Sequence, residues 1–216
     1  MQTARNIFLI VSALFPIVDP LGGSPIFLSL TREYLPQARR ILSRQIAVNS
    51  FFLLVGSYLI GAHILAFFGI SLPAVQVGGG LVVISTGWTL LKRRDDDERD
   101  KMHPSSHRQE TSHQAFYPLT LPLTVGPGSI SVAVTLGANA SHSGINILAI
   151  LASIVGSAVI ALTIFLCYGF ADRLARMLGV TAMTVIVRLT SFLLVCIGVQ
   201  IVWNGVSAFL ASVPAH

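Results

Sequence analysis

Two stretches broken by proline and glycine, each inside an apolar run long enough to cross a bilayer, constrain this chain more than any other feature. The first reads Phe15-Pro16-Ile17-Val18-Asp19-Pro20-Leu21-Gly22-Gly23-Ser24-Pro25, and the second Leu121-Pro122-Leu123-Thr124-Val125-Gly126-Pro127-Gly128-Ser129. An unsatisfied backbone N–H or C=O is so unfavourable in hydrocarbon that a helix opens there only where protein or a wet cavity takes up the freed groups. Matched breaks in two halves mark a central site built from discontinuous helices, the pattern of many secondary transporters.

Composition fits a chain dissolved in lipid. Of 216 residues, 53% are hydrophobic and only 11% charged, against roughly 25% charged in a soluble domain. The net charge of +5 does not point to a nucleic-acid partner, because the basic residues are confined to short loops between apolar runs, where they set topology. No nucleic acid is therefore expected. Cys167 and Cys196 lie in separate apolar runs without CxxC spacing and read as small buried side chains, not a metal or redox site. The first run continues past Asp19 to about Leu30 with no small-residue cleavage pattern, which reads as a membrane helix and not a signal peptide.

At about 20 residues per crossing, six segments are expected, near 6–30, 46–69, 72–91, 116–138, 145–170 and 187–211. Arg32, Arg39, Arg40 and Arg44 occupy the first loop; Lys92, Arg93, Arg94, Arg99, Lys101 and Arg108 the third; Arg173, Arg176 and Arg188 lie in or beside the fifth. The second and fourth loops have no Lys or Arg, so the odd loops face the cytoplasm and both termini the other side. The halves also repeat. Pairing Pro20 with Pro127 lays Asp19 over Gly126, and a slightly different register lays Gly80 over Ser191 and Gly87 over Gly198. Because each half has three helices, the second enters from the opposite side, giving an inverted repeat. The expected architecture is all-α, with six transmembrane helices in two inverted three-helix repeats and helices 1 and 4 discontinuous. Its parts are a first repeat at 1–91, a cytoplasmic linker at 92–115 and a second repeat at 116–216. The linker's acidic run and its histidines His103, His107 and His113 read as a solvated connector and not a metal site.

Asp19 is the only carboxylate inside an expected span, and an ionisable residue at that depth is a functional candidate. Asp before Pro is also a good helix start, so Asp19 reads either as a cap alone or as a cap that also meets a ligand or proton. In the second repeat Gly126 stands in its place, leaving the half-helix from Pro127 without a capping side chain, and such an end attracts anions. A small zwitterion such as an amino acid fits this pair, with its carboxylate at Pro127 and its ammonium near Asp19. Ser24, Thr124 and Ser129 would add hydroxyl contacts. Gly22, Gly23, Gly126 and Gly128 would let the backbone turn or approach closely. The expected binding residues are thus Asp19, Gly22, Gly23, Ser24, Thr124, Gly126, Gly128 and Ser129, with no catalytic residue, metal or cofactor. Nothing in the spans assembles a nucleophile and base, so the chain is not read as an enzyme.

The first break with Ile26-Phe27, the stretch Pro118 to Ile130, and Arg188-Leu189 through Leu193-Leu194-Val195-Cys196-Ile197-Gly198-Val199-Gln200 together resemble the MarC family of six-helix inner-membrane proteins. The resemblance covers nearly the whole chain. It implies a bacterial-type inner-membrane protein grouped with neutral amino acid transporters, with glycine- and alanine-like molecules as substrates. Where that family's pattern has Arg-Leu-x-Gly, this chain has Arg188-Leu189-Thr190-Ser191, which keeps the site small and adds two hydroxyls. The expected function is secondary transport of small neutral amino acids by alternating access, driven by an H+ or Na+ gradient; the alternative is a channel or exporter for another small metabolite.

The charge pattern generates a topology prediction. On a Cys-free background, single cysteines in the loops 31–45, 92–115 and 171–186 should resist an impermeant thiol reagent added to intact cells. Labelling of the 92–115 loop from outside would contradict the inverted repeat.

Overall fold

The computed structural model describes residues 2–31, 34–92, 115–141 and 147–212. The linker's histidines and acidic run lie outside the described residues. The first apolar run forms two helices, α1 (Gln2–Val18) and α2 (Pro20–Leu30), parted at Asp19. Asp19 has φ 42° and ψ 62°, the one non-glycine residue with positive φ among those described. Proline at position 20 disfavours the right-handed helical region for the residue before it, and Asp tolerates the left-handed region better than most residues. Thr31 closes α2 by donating from both its N–H and its hydroxyl to the Phe27 carbonyl.

Helices α3 (Pro36–Phe67) and α4 (Leu72–Lys92) complete the first half. They are joined at Gly69, whose φ of 67° allows the left-handed close of α3. The second half opens differently. The segment α5 (Ala115–Thr124) is wound in wide five-residue turns, with extended backbone at Tyr117 and Leu121. Both residues precede a proline, which pushes them out of the helical region. Thr120 and Thr124 donate their hydroxyls to the carbonyls of Ala115 and Leu119, five residues back. The chain breaks again at Gly126 before α6 (Pro127–Ser141), then runs through α7 (Ile147–Gly169) and α8 (Ala171–Ser212).

Among the described residues, five runs are long and apolar enough to cross a membrane: 4–30, 36–67, 72–92, 147–169 and 181–211. The expected segment at 116–138 is divided between α5 and α6. The expected fifth loop, 171–186, is instead helical throughout except at Gly179, where φ 74° and ψ 168° interrupt α8. The outer surface carries many exposed apolar side chains, Phe8, Phe52, Phe67 and Leu162 among them, as lipid contact requires. At one end of the bundle, Arg39 in the first turn of α3 forms an ion pair with Asp172 in the first turn of α8. The first and fifth connections therefore share one side of the molecule, in line with their common basic character.

Small residues set the packing. In the α4 and α8 pair, glycines and carbonyls meet at every seventh position: Gly205 at the Pro73 carbonyl, Gly80 at Gly198, Gly87 at the Ser191 carbonyl. The two helices run antiparallel and their backbones nearly touch, which small residues permit. Elsewhere Gly137 of α6 lies on the Tyr58 carbonyl of α3, and Gly156 of α7 on Ile10 of α1. The core gathers Leu14, Phe27, Ile46, Leu54, Val125 and Ile160 from both halves.

A Cβ added at Gly198 would sit 2.9 Å from the Gly80 carbonyl oxygen, whereas one at Gly56 meets nothing within 4 Å. Gly198→Ala should therefore destabilise the protein by about 1–3 kcal/mol, the usual scale of overpacking. Gly56→Ala should be neutral or slightly stabilising through helix propensity. Thermal unfolding in detergent checks the contrast.

Candidate functional site

At the first break the carboxylate caps the following helix: Asp19 Oδ1 accepts from the Gly22 N–H at 3.0 Å. Two backbone bonds span the break, Asp19 N–H to the Phe15 carbonyl at 3.0 Å and Gly23 N–H to the Asp19 carbonyl at 2.9 Å. Because Gly22 donates to the side chain, the Val18 carbonyl loses its helical partner, and Pro20 has no N–H to offer the Pro16 carbonyl. Gly22 leaves room for this arrangement. A Cβ there would fall on Asp19 Oδ2 and lie 2.7 Å from Thr190 Oγ1 of α8.

One residue further on, Gly23 faces Tyr168 of α7. A Cβ at Gly23 would lie 2.5 Å from the phenolic oxygen. Tyr168 is almost fully buried and stacks on Phe27 with ring centroids 4.8 Å apart and planes 10° from parallel. Its hydroxyl lies 3.1 Å from Thr124 Oγ1. Thr124 has a single proton, directed to the Leu119 carbonyl at 2.8 Å, so the phenol is the donor in this pair. Tyr168 thereby joins Gly23 on the first broken segment to Thr124 on the second.

The remaining expected residues divide between backbone repair and packing. Ser24 is fully buried and donates to the Leu21 carbonyl at 2.8 Å; Ser129 does the same to the Gly126 carbonyl at 2.9 Å. Both hydroxyls are turned into their own helices. Gly128 packs on α4, where a Cβ would strike Val83 and lie 3.6 Å from the Gly79 carbonyl. Ser131 secures this contact by donating to the Val75 carbonyl at 2.9 Å. Among the described residues no side chain caps the first N–H groups of α6, as expected from Gly126. Asp19, Gly22, Gly23 and Thr124 are thus gathered around Tyr168 and Thr190, while Gly128 lies against α4.

A crevice of about 610 Å³ separates α3, α4 and α6 and reaches Pro127 and Ser131; its other lining residues include Gly56, Gly61 and Gly78. It touches the second break and not Asp19. Among the described residues no three metal-binding side chains cluster.

Sequence reasoning missed Tyr168, and for Thr190 it saw a small residue with an added hydroxyl but not its approach to Asp19. Tyr168 left one signal, as the sole tyrosine of a largely apolar run, since a buried phenol needs a polar partner. For Thr190 no local signal exists, because its partner is 171 positions away in the chain.

The fold and this site define a multi-pass α-helical integral membrane protein with two interrupted helices. The chain belongs to the MarC family of integral membrane proteins, whose pattern matches residues 4–210. It is 34% identical over 196 residues to the membrane protein YvbG of Bacillus subtilis, covering 89% of this chain and 90% of that one. It is 30% identical over 213 residues to the inner membrane protein MarC of Salmonella typhimurium, covering 95% and 96%. A membrane protein of Methanocaldococcus jannaschii is 30% identical over 202 residues, covering 94% and 96%. No solved structure matches the chain significantly.

The link through Tyr168 generates a stability prediction. Tyr168→Phe keeps the stack on Phe27 and should lose about 1 kcal/mol, one hydrogen bond. Tyr168→Ala should lose about 3–5 kcal/mol, as for other buried aromatic truncations. Unfolding midpoints of the purified variants separate the two.

Proposed function

We propose that the protein is a secondary transporter of small neutral amino acids, glycine- or alanine-like, working by alternating access between two inverted three-helix repeats. The observation that carries this reading is the α4 and α8 seam, which maps onto itself when the halves are exchanged. Gly80 meets Gly198 and Val202; Gly198 meets Gly80 and Ile84; Gly87 meets Ser191. Shifting by the register that lays Gly80 over Ser191 turns the first contact into the third, as a pseudo-two-fold axis in the membrane plane requires. Each break also packs on the third long helix of the other kind of half: Gly22 at Thr190, Gly128 at Gly79 and Val83. In the same register Thr190 corresponds to Gly79.

In this reading Asp19 receives the substrate ammonium, and the uncapped start of α6 receives its carboxylate through free N–H groups and the helix dipole. Gly22, Gly23, Ser24, Thr124, Gly126, Gly128 and Ser129 shape the path between these anchors. Tyr168 closes it where Gly23 and Thr124 approach. An H+ or Na+ gradient drives the cycle. Both termini face away from the cytoplasm, and no catalytic step is involved.

The test is uptake by purified protein in liposomes, using radiolabelled amino acids under imposed pH or Na+ gradients. Saturable, gradient-driven uptake of a small neutral amino acid is expected. Non-saturating flux would favour a channel, and no flux of any amino acid would reject the reading. The corresponding amide should bind roughly tenfold to a hundredfold more weakly, the scale of a hydrogen bond to a charged group. Equal affinity for acid and amide would remove the carboxylate anchor.

A further inference from the structure

The first break collects oxygen atoms from two parts of the molecule, and among the described residues no basic side chain is brought to them. Asp19 Oδ2 and Thr190 Oγ1 face each other across the notch above Gly22. Thr190 Oγ1 lies 2.9 Å from the Ile186 carbonyl and 3.1 Å from the Val187 carbonyl, and its hydroxyl is also a hydrogen-bond partner of the Asp19 carboxylate. Whichever acceptor takes its one proton, the oxygen keeps a lone pair for a ligand. The opened backbone also leaves the Val18 and Pro16 carbonyls without their usual helical donors.

The groups around the carboxylate do not neutralise it. From α7 the ionisable neighbours are Tyr168 and Cys167, and from α8 the facing side chain is Thr190. Arg188, also on α8, is exposed and sits two residues from Thr190, a spacing that puts it on a different helix face. Among the described residues the single ion pair is Arg39 with Asp172, which does not involve Asp19. An anionic group at membrane depth with no cation beside it is strongly disfavoured.

We propose that the notch over Gly22 is a binding site for a small monovalent cation held by Asp19 Oδ2 and Thr190 Oγ1, either inorganic Na+ or a primary ammonium group. A set of carboxylate, hydroxyl and carbonyl oxygens suits a hard cation. Opened helices use the same donors for ions. The missing side chain of Gly22 is part of the site, since a Cβ would occupy the space between the two oxygens. The proposal deepens the transporter reading and rests on it only in counting a substrate ammonium among the sources; binding itself does not require transport.

The experiment measures the unfolding midpoint of the purified full-length protein in detergent, titrated with NaCl, methylammonium chloride or choline chloride at constant ionic strength. A ligand that binds only the folded state raises the midpoint, so a saturable rise with Na+ or methylammonium, absent with the bulky choline ion, is expected. A rise with Na+ alone identifies an inorganic ion, and one with methylammonium alone identifies the ammonium source. Asp19→Asn should abolish the rise. Thr190→Val and Gly22→Ala should each raise the apparent Kd about tenfold or more, the scale of losing a contact to a charged group. If Asp19→Asn does not purify as a folded species, the other two variants carry the test. Identical midpoints in all three salts, or a rise that survives unchanged in every variant, would overturn the site. A cation-dependent midpoint without amino acid uptake keeps the site and removes the transporter reading; uptake without the dependence removes only the site.

Discussion

The structure depends on a single constraint, that every backbone polar group in hydrocarbon needs a partner. Prolines remove donors at both broken helices, and the chain supplies replacements from its own side chains. Asp19 takes up the Gly22 N–H; Thr120, Thr124, Ser24 and Ser129 return hydroxyls to carbonyls within their own segments. This explains why polar residues crowd the breaks without offering free hydroxyls to solvent. Asp19 Oδ2, beside the Thr190 hydroxyl, is the carboxylate oxygen that this backbone repair does not use.

Side-chain repair alone would leave the broken segments loosely placed. Packing against α7 and α8 fixes the first break, through the Tyr168 stack on Phe27 and the approach of Thr190 to Gly22. Packing against α4 fixes the second, through Gly128 and the Ser131 bond to Val75. Each break is therefore positioned by contacts contributed from more than one part of the chain.

Much of this was legible in the sequence, for local reasons. Membrane spans follow from length and apolarity, the Asp19 cap from an Asp-Pro pair, and the open start of α6 from Gly126. Two parts were less legible. The extended residues Tyr117 and Leu121 show that the second interruption is longer than the Gly126-Pro127 pair implied. A signal for it existed: prolines at 16, 20 and 25 have the same spacing as those at 118, 122 and 127. That register pairs Asp19 with Leu121, both non-helical and both before proline, whereas pairing the helix breaks themselves aligns Asp19 with Gly126. No single alignment captures both likenesses. Tyr168 and Thr190 were hidden for a different reason, since their partners are distant in sequence and become neighbours only through helix packing.

The α4 and α8 seam has a mechanical consequence. Where Gly80 and Gly198 meet, backbone lies close to backbone, flanked by the Val202 and Ile84 side chains, and little room is left to absorb a sliding motion. Such a contact is stiff, because shifting either helix by part of a turn drives a Cα into a carbonyl. A stiff seam of this kind leaves the points without helical continuity, Asp19, the Val125-Gly126 junction and Gly179, as the places where the chain is free to bend.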